Sequence, residues 1–141
     1  MIKIGVTMPG RVDDAGDFLA NVRALEAAGA ELVGLDGDSA EQWVMLGAIA
    51  AATERVMLRI TGSEPAAVRA LSRGRAIAGT PENERWVELE MPPDRDSWAA
   101  MLRDQETEGV TGVIVPWDER LIDLLRNPDA DDRGDLLMST G

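Results

Sequence analysis

Apolar and polar positions along this chain switch repeatedly between the short runs of buried strands and the three-and-four spacing of amphipathic helices. Ile2 to Thr7 is apolar and rich in β-branched residues, and Pro9-Gly10 breaks it, which predicts a buried first strand and a loop. Asp13 or Asp14 is placed to cap a helix running to about Ala28. In it Phe18, Val22, Leu25 and Ala28 form one apolar stripe, and Gly29 supplies the C-cap. Glu31 to Leu35 reads as a second strand, Ala40 to Thr53 as a second helix and Val56 to Ile60 as a third strand.

The middle is less regular. Pro65 to Ser72 predicts a short helix, Arg75 to Ala78 a short strand and Thr80-Pro81-Glu82-Asn83 a loop, and Trp86 to Met91 alternates as a half-exposed strand does. A helix from about Arg95 to Glu108 follows Pro92-Pro93-Asp94, with Trp98, Met101, Leu102 and Gln105 on one side and Gly109 closing it. Thr111 to Val115 is an apolar strand stopped by Pro116, and Glu119 to Leu125 is a last helix before Asn127-Pro128. Strands alternating with helices over short connections specify parallel strands with crossover helices. The expectation is an α/β fold, a reduced or partial TIM-like βα barrel of about six strands. It occupies residues 1–128 as a single domain, with an acidic tail over 129–141.

Composition narrows the chemistry more than it narrows the fold. Among 141 residues there is no His, no Cys and no Tyr, which removes Ser-His-Asp triads, Cys nucleophiles, Cys/His zinc sites, tyrosine acids and disulfides. The lone lysine, Lys3, lies inside the apolar opening segment, which argues against a Schiff-base role. A net charge of −12 repels phosphate backbones and anionic headgroups and argues against nucleic-acid and membrane partners. The longest apolar run, Trp43 to Ala52, is too short to span a bilayer, and the opening residues lack a signal-peptide pattern, so a cytoplasmic location is expected.

Three stretches together resemble the luciferase-like monooxygenases. They are Phe18 to Ala30, the run Trp43 to Leu58, and Leu71-Ser72-Arg73-Gly74-Arg75, which is similar to a Leu-Ser-Gly-Gly-Arg stretch before that family's fourth strand. The resemblance covers roughly the first half of the chain. It implies a (β/α)8-type fold and a reduced flavin or deazaflavin cofactor, with FMN as the flavin. Two departures qualify it: the family's long central region has no counterpart between Gly79 and Glu84, and the acidic-His pair after its second strand here reads Asp36-Gly37-Asp38. Catalysis by that imidazole therefore cannot be carried over.

Ligands of parallel βα folds meet the C-terminal strand ends, which here are Thr7-Met8, Asp36-Gly37-Asp38, Thr61-Gly62, Gly79-Thr80 and Pro116-Trp117. Thr61 and Gly62 match the place where the family's backbone approaches the flavin ring, and Trp117 is positioned either to stack on such a ring or simply to pack. Arg73 and Arg75 flank Gly74 and have the fork geometry to hold a phosphate, although ion pairs with nearby Glu residues account for them equally well. Asp36 and Asp38 form a candidate Mg²⁺ pair, with turn and capping chemistry as the ordinary alternative. The cofactor-binding candidates are thus Thr7, Asp36, Thr61, Gly62, Arg75 and Trp117, with no residue assigned to catalysis and none finally to a metal.

Three functions follow as expectations: a flavin- or deazaflavin-binding redox protein, a non-catalytic binding or assembly subunit on the same fold, and, last, a metal-assisted enzyme using Asp36 and Asp38. Six strands leave either open edges or an uncovered core, so a homodimer is expected, in contact through Trp86 to Met91 or through Leu136-Leu137-Met138.

Overall fold

A computed structural model describes residues 1–37, 40–61 and 66–128. The elements alternate as expected: β1 (Lys3–Met8), α1 (Ala15–Ala28), β2 (Leu32–Leu35), α2 (Ala40–Ala52), β3 (Met57–Ile60), α3 (Ala66–Ser72), β4 (Ala76–Ala78), β5 (Trp86–Glu88), α4 (Arg95–Thr107), β6 (Gly112–Pro116) and α5 (Leu121–Arg126). Every strand pairing is parallel, and the sheet order is β4-β3-β2-β1-β6-β5. The sheet curls into a half-barrel flanked by helices, so the expected partial βα barrel is the fold that forms. Among the described residues no helix is long and apolar enough to cross a membrane.

Local chemistry explains the helix ends. The Asp14 carboxylate accepts the Asp17 N–H at 3.0 Å and starts α1, while Gly29, at φ 111°, closes it in the left-handed region where a side chain would be strained. Phe18, Val22 and Leu25 are the buried stripe between these ends. They belong to one core with Ile4, Val6, Met8, Val33 and Leu58 from the outer face of the sheet and with Leu121 and Leu124 of α5, against which α1 packs. Each such side chain contributes about 1.5–3 kcal/mol by leaving water.

Strand register assigns the opposite, concave face. Gly5 is level with Leu32 and Ile114, and Thr7 with Gly34 and Pro116; Gly34 is level in turn with Arg59. Trp86 from β5 fills this interior, lying so close over Gly112 that a Cβ there would collide with the indole, and 3.2 Å from where a Gly5 Cβ would stand. The guanidinium of Arg59 on β3 pairs with Glu88 on β5 across the hollow. Those strands are four places apart in the sheet, about 19 Å if it were flat at roughly 4.8 Å per strand. Two side chains span that distance only because the sheet curls.

The lower rim, where the strands begin, is tied by Glu26 from the last turn of α1. Its carboxylate accepts the backbone N–H groups of Glu54, Arg55 and Val56 at 2.7–3.1 Å, anchoring the turn that leads to β3. Partial burial alone would raise its pKa, but the N–H groups of Arg55, Val56 and Glu54 outweigh this and hold it below the ordinary glutamate value. Lys3 reaches Glu84 at 2.7 Å and Glu31 at 3.8 Å near the same rim. Its hydrogen bond to Glu84 raises the ammonium pKa.

One boundary moved appreciably. The alternating segment Trp86 to Met91 pairs only over Trp86–Glu88, with one further bond from the Leu89 N–H to the Ile114 carbonyl.

Candidate functional site

Because the strands are parallel, Thr7, Asp36, Thr61 and Trp117 all stand at one rim, the C-terminal mouth, in the spatial order Thr61, Asp36, Thr7, Trp117 set by β3, β2, β1 and β6. Backbone bonds extend the sheet to this rim: Trp117 N–H donates to the Thr7 carbonyl and Asp36 N–H to the Met8 carbonyl, both at 2.9 Å. Thr7, Met8, Pro9, Asp36, Pro116 and Trp117 enclose a recess of about 200 Å³. Three of the expected residues therefore share one cavity. Thr61 is exposed on the same rim but does not line it, and Gly62 lies outside the described residues.

Two residues that build this mouth were not anticipated. Gln42, 9% exposed at the start of α2, donates its amide to the Leu35 carbonyl at 3.1 Å and to the Gly37 carbonyl, fixing the turn after β2. Gly10 runs so close to that turn that a Cβ would strike the Asp36 carbonyl oxygen. Pro9-Gly10 was legible as a chain break, but nothing in the sequence says which backbone crosses it. No periodic signal marks Gln42.

Gly37 sits at φ 95°, so Asp36-Gly37 is a left-handed turn. Among the described residues no group of three His, Cys, Asp or Glu is arranged to hold a metal ion, and Asp38 lies outside them.

Arg75 is a correction. It precedes β4 and stands at the opposite rim, away from the mouth. There Nε donates to the Ser72 carbonyl at 2.8 Å, Nη1 to Thr53 Oγ1 at 2.9 Å and the Val56 carbonyl at 3.0 Å, and Nη2 to the Ala50 and Thr53 carbonyls at 2.7 and 3.1 Å. Burial depresses its pKa, and the ring of carbonyls keeps the cation in place. Its donors are spent on closing the end of α2, so it holds no phosphate at the mouth. Arg73, exposed at φ 53°, belongs to the tight turn between α3 and β4 at this same rim.

Beyond Trp117, Asp118 and Arg120 form a second rigid element. The Arg120 hydrogen bonds pull the Asp118 carboxyl below its ordinary value, and the Asp118 hydrogen bond raises the guanidinium in return. Arg120 also donates to the Pro93 carbonyl at 2.6 Å, tying the start of α5 to the segment before α4. The neighbouring cavity of about 340 Å³, between Pro93, Asp94, Arg95, Arg120, Asp123 and Leu124, has both cations engaged: Arg95 pairs with Asp123 and bonds the Asn127 carbonyl at 2.6 Å.

A larger concavity of about 510 Å³ lies on the outside, between α2 and α3. Trp43, Val44, Gly47, Ala48, Ala51, Ala67, Val68 and Leu71 line it, none of them charged.

What the mouth offers is a hydroxyl, a carboxylate, an indole, two prolines and a methionine. That set suits a flat ring with polar edges, and the recess lining contains no cation for a phosphate. No protein-family model matches this chain, and no curated protein sequence does.

Proposed function

We propose that this half-barrel binds the planar ring of a flavin or deazaflavin cofactor at its mouth, as a small redox protein of the luciferase-like type. The observation that carries the reading is the recess shared by Thr7, Asp36, Pro116 and Trp117 at the ends of three adjacent parallel strands. At about 200 Å³ it is smaller than the usual ligand site of roughly 300–1,000 Å³, so it takes part of a ring system rather than a whole nucleotide. In this reading Trp117 packs against the ring face, the Asp36 carboxylate accepts from a ring N–H, and the Thr7 hydroxyl serves either way. The bound ring supplies electron or hydride transfer, and the protein supplies orientation and shielding.

The test is titration of FMN and of a deazaflavin into the purified protein, read by visible absorbance and tryptophan emission. Stoichiometric binding is expected, weakened about tenfold or more by Trp117→Ala and by Asp36→Asn. Absence of binding, or binding indifferent to Trp117→Ala, overturns the reading.

A second reading, a non-catalytic assembly subunit, has its own observation in the uncharged concavity between α2 and α3. It predicts association with other chains and no bound chromophore.

A further inference from the structure

Within the strands the cations are Lys3 and Arg59, and Lys3 is taken up at the lower rim by Glu84 and Glu31. Arg59 stands in the hollow. Register sets it level with Gly34 on one side and Ile77 on the other, with Thr7 one strand beyond Gly34. A Cβ on Gly34 would lie 3.4 Å from the Arg59 Cβ and 3.9 Å from its Cδ, so the stem of the arginine runs beside a strip of bare backbone. Ala76 packs against the core from the outer face of β4, which turns Ile77 to the concave face; Met57, two residues before Arg59, shares that face, and both are half-buried.

Glu88 reaches the guanidinium from the far side of the hollow, but the two partners differ in setting. The Arg59 side chain is 29% exposed and that of Glu88 66%. A carboxylate based in solvent thus enters to meet a cation held inside.

We propose that the hollow binds a small aliphatic monocarboxylate, with its carboxylate on Arg59 in place of Glu88 and its chain along Ile77 and Met57. The proposal is independent of the cofactor reading, which concerns the recess at the mouth.

The guanidinium presents a planar fork of donors that matches a carboxylate in two parallel bonds. Glu88 already shows that this cation accepts a carboxylate here. An ion pair with one partner so exposed contributes little to stability, so a ligand displaces Glu88 at small cost. Apolar surface beside the fork then distinguishes a ligand with a short chain from a bare anion: Ile77 and Met57 still have surface to lose to it. A second negative charge on the ligand is opposed by Glu88 within the hollow, by Asp36 at the mouth and by the net −12 of the chain, which limits the occupant to one.

Calorimetric titration of the full chain, without added flavin, tests this with three four-carbon probes: butyrate, butanol and succinate. Butyrate should bind at one site, and butanol and succinate at least about tenfold more weakly. Arg59→Gln should weaken butyrate about tenfold or more, and Arg59→Lys, which keeps the charge and loses the fork, by less. Glu88→Gln should tighten butyrate about two- to fivefold, because it removes the built-in competitor. That last sign separates the proposal from a structural role, in which Glu88 merely straps the half-barrel and its loss weakens everything. Far-UV circular dichroism confirms that each variant is folded; should Arg59→Gln unfold, the comparison of Arg59→Lys with Glu88→Gln, one weaker and one tighter than wild type, carries the test. Absence of butyrate binding to both wild type and Glu88→Gln, binding indifferent to the Arg59 variants, weaker binding in Glu88→Gln, or equal affinity for butanol or succinate overturns the proposal.

Discussion

Replacing Arg75 by Ala removes five hydrogen bonds at once, which makes it the most informative single perturbation of the scaffold. A bond from a charged donor contributes about 1.5–3 kcal/mol, but five bonds from one head group are not additive, and the half-buried site lets water reach some of the abandoned carbonyls. The groups left behind are neutral carbonyls and one hydroxyl rather than an orphaned charge, each costing about 1–3 kcal/mol where water cannot reach it, so the loss is set at about 3 kcal/mol. For a domain of this size that lowers Tm by about 10 °C. Arg75→Lys keeps the charge and loses the fork, so it should fall between Ala and wild type. Thermal melts by far-UV circular dichroism are the assay, with urea midpoints as the check. An Ala variant melting within about 2 °C of wild type would refute the argument that these bonds close the end of α2. Ring binding at the mouth should survive Arg75→Lys, because the two sites are at opposite rims.

Glu26→Gln should destabilise at neutral pH, and the deficit should vanish in acid: a lowered folded pKa stabilises above the ordinary glutamate value and is lost as pH falls through the folded one, so urea midpoints of the two proteins converge there. Trp86 Nε1 is buried without a partner, so Trp86→Phe trades lost contact for removal of that unsatisfied N–H and should change stability by no more than about 1 kcal/mol. Trp86→Ala should cost about 3–5 kcal/mol by urea denaturation, and equal losses in the two variants would contradict this account. Gly10→Ala should weaken FMN binding more than it lowers Tm, since its Cβ would push the β1 loop off the Asp36 carbonyl at the mouth; a titration beside a melt separates the two effects.

Periodicity carried most of the fold. The apolar run Ile2 to Thr7 marked a buried strand and the stripe Phe18, Val22, Leu25 named the inner face of α1, and burial follows both. That the sheet curls was expected with the partial barrel; what fills the curl, Trp86 settling over Gly5 and Gly112, was not legible, because these contacts join residues remote in sequence. At the mouth, strand-end logic brought Thr7, Asp36 and Trp117 together correctly, since parallel direction alone puts them on one rim. The same logic, applied to Arg75 as a residue before a strand, points to the other rim; its charge beside a glycine was allowed to outweigh its position. The apolar run of α2 held a signal as well: a helix apolar on nearly every side has more surface to cover than one sheet provides.

The place of β1 in the middle of the sheet has a consequence for how the chain acquires its structure. Lys3 lies beside Gly112 and Gly5 beside Leu32, so the first strand made has one partner available early and the other only after nearly the whole domain has left the ribosome. Closing a loop of that length costs about 4 kcal/mol in chain entropy beyond a constant. Until β6 arrives, one edge of β1 and the apolar side of α1 that rests on α5 are bare, which makes the interval before completion the period in which this protein is most exposed to aggregation.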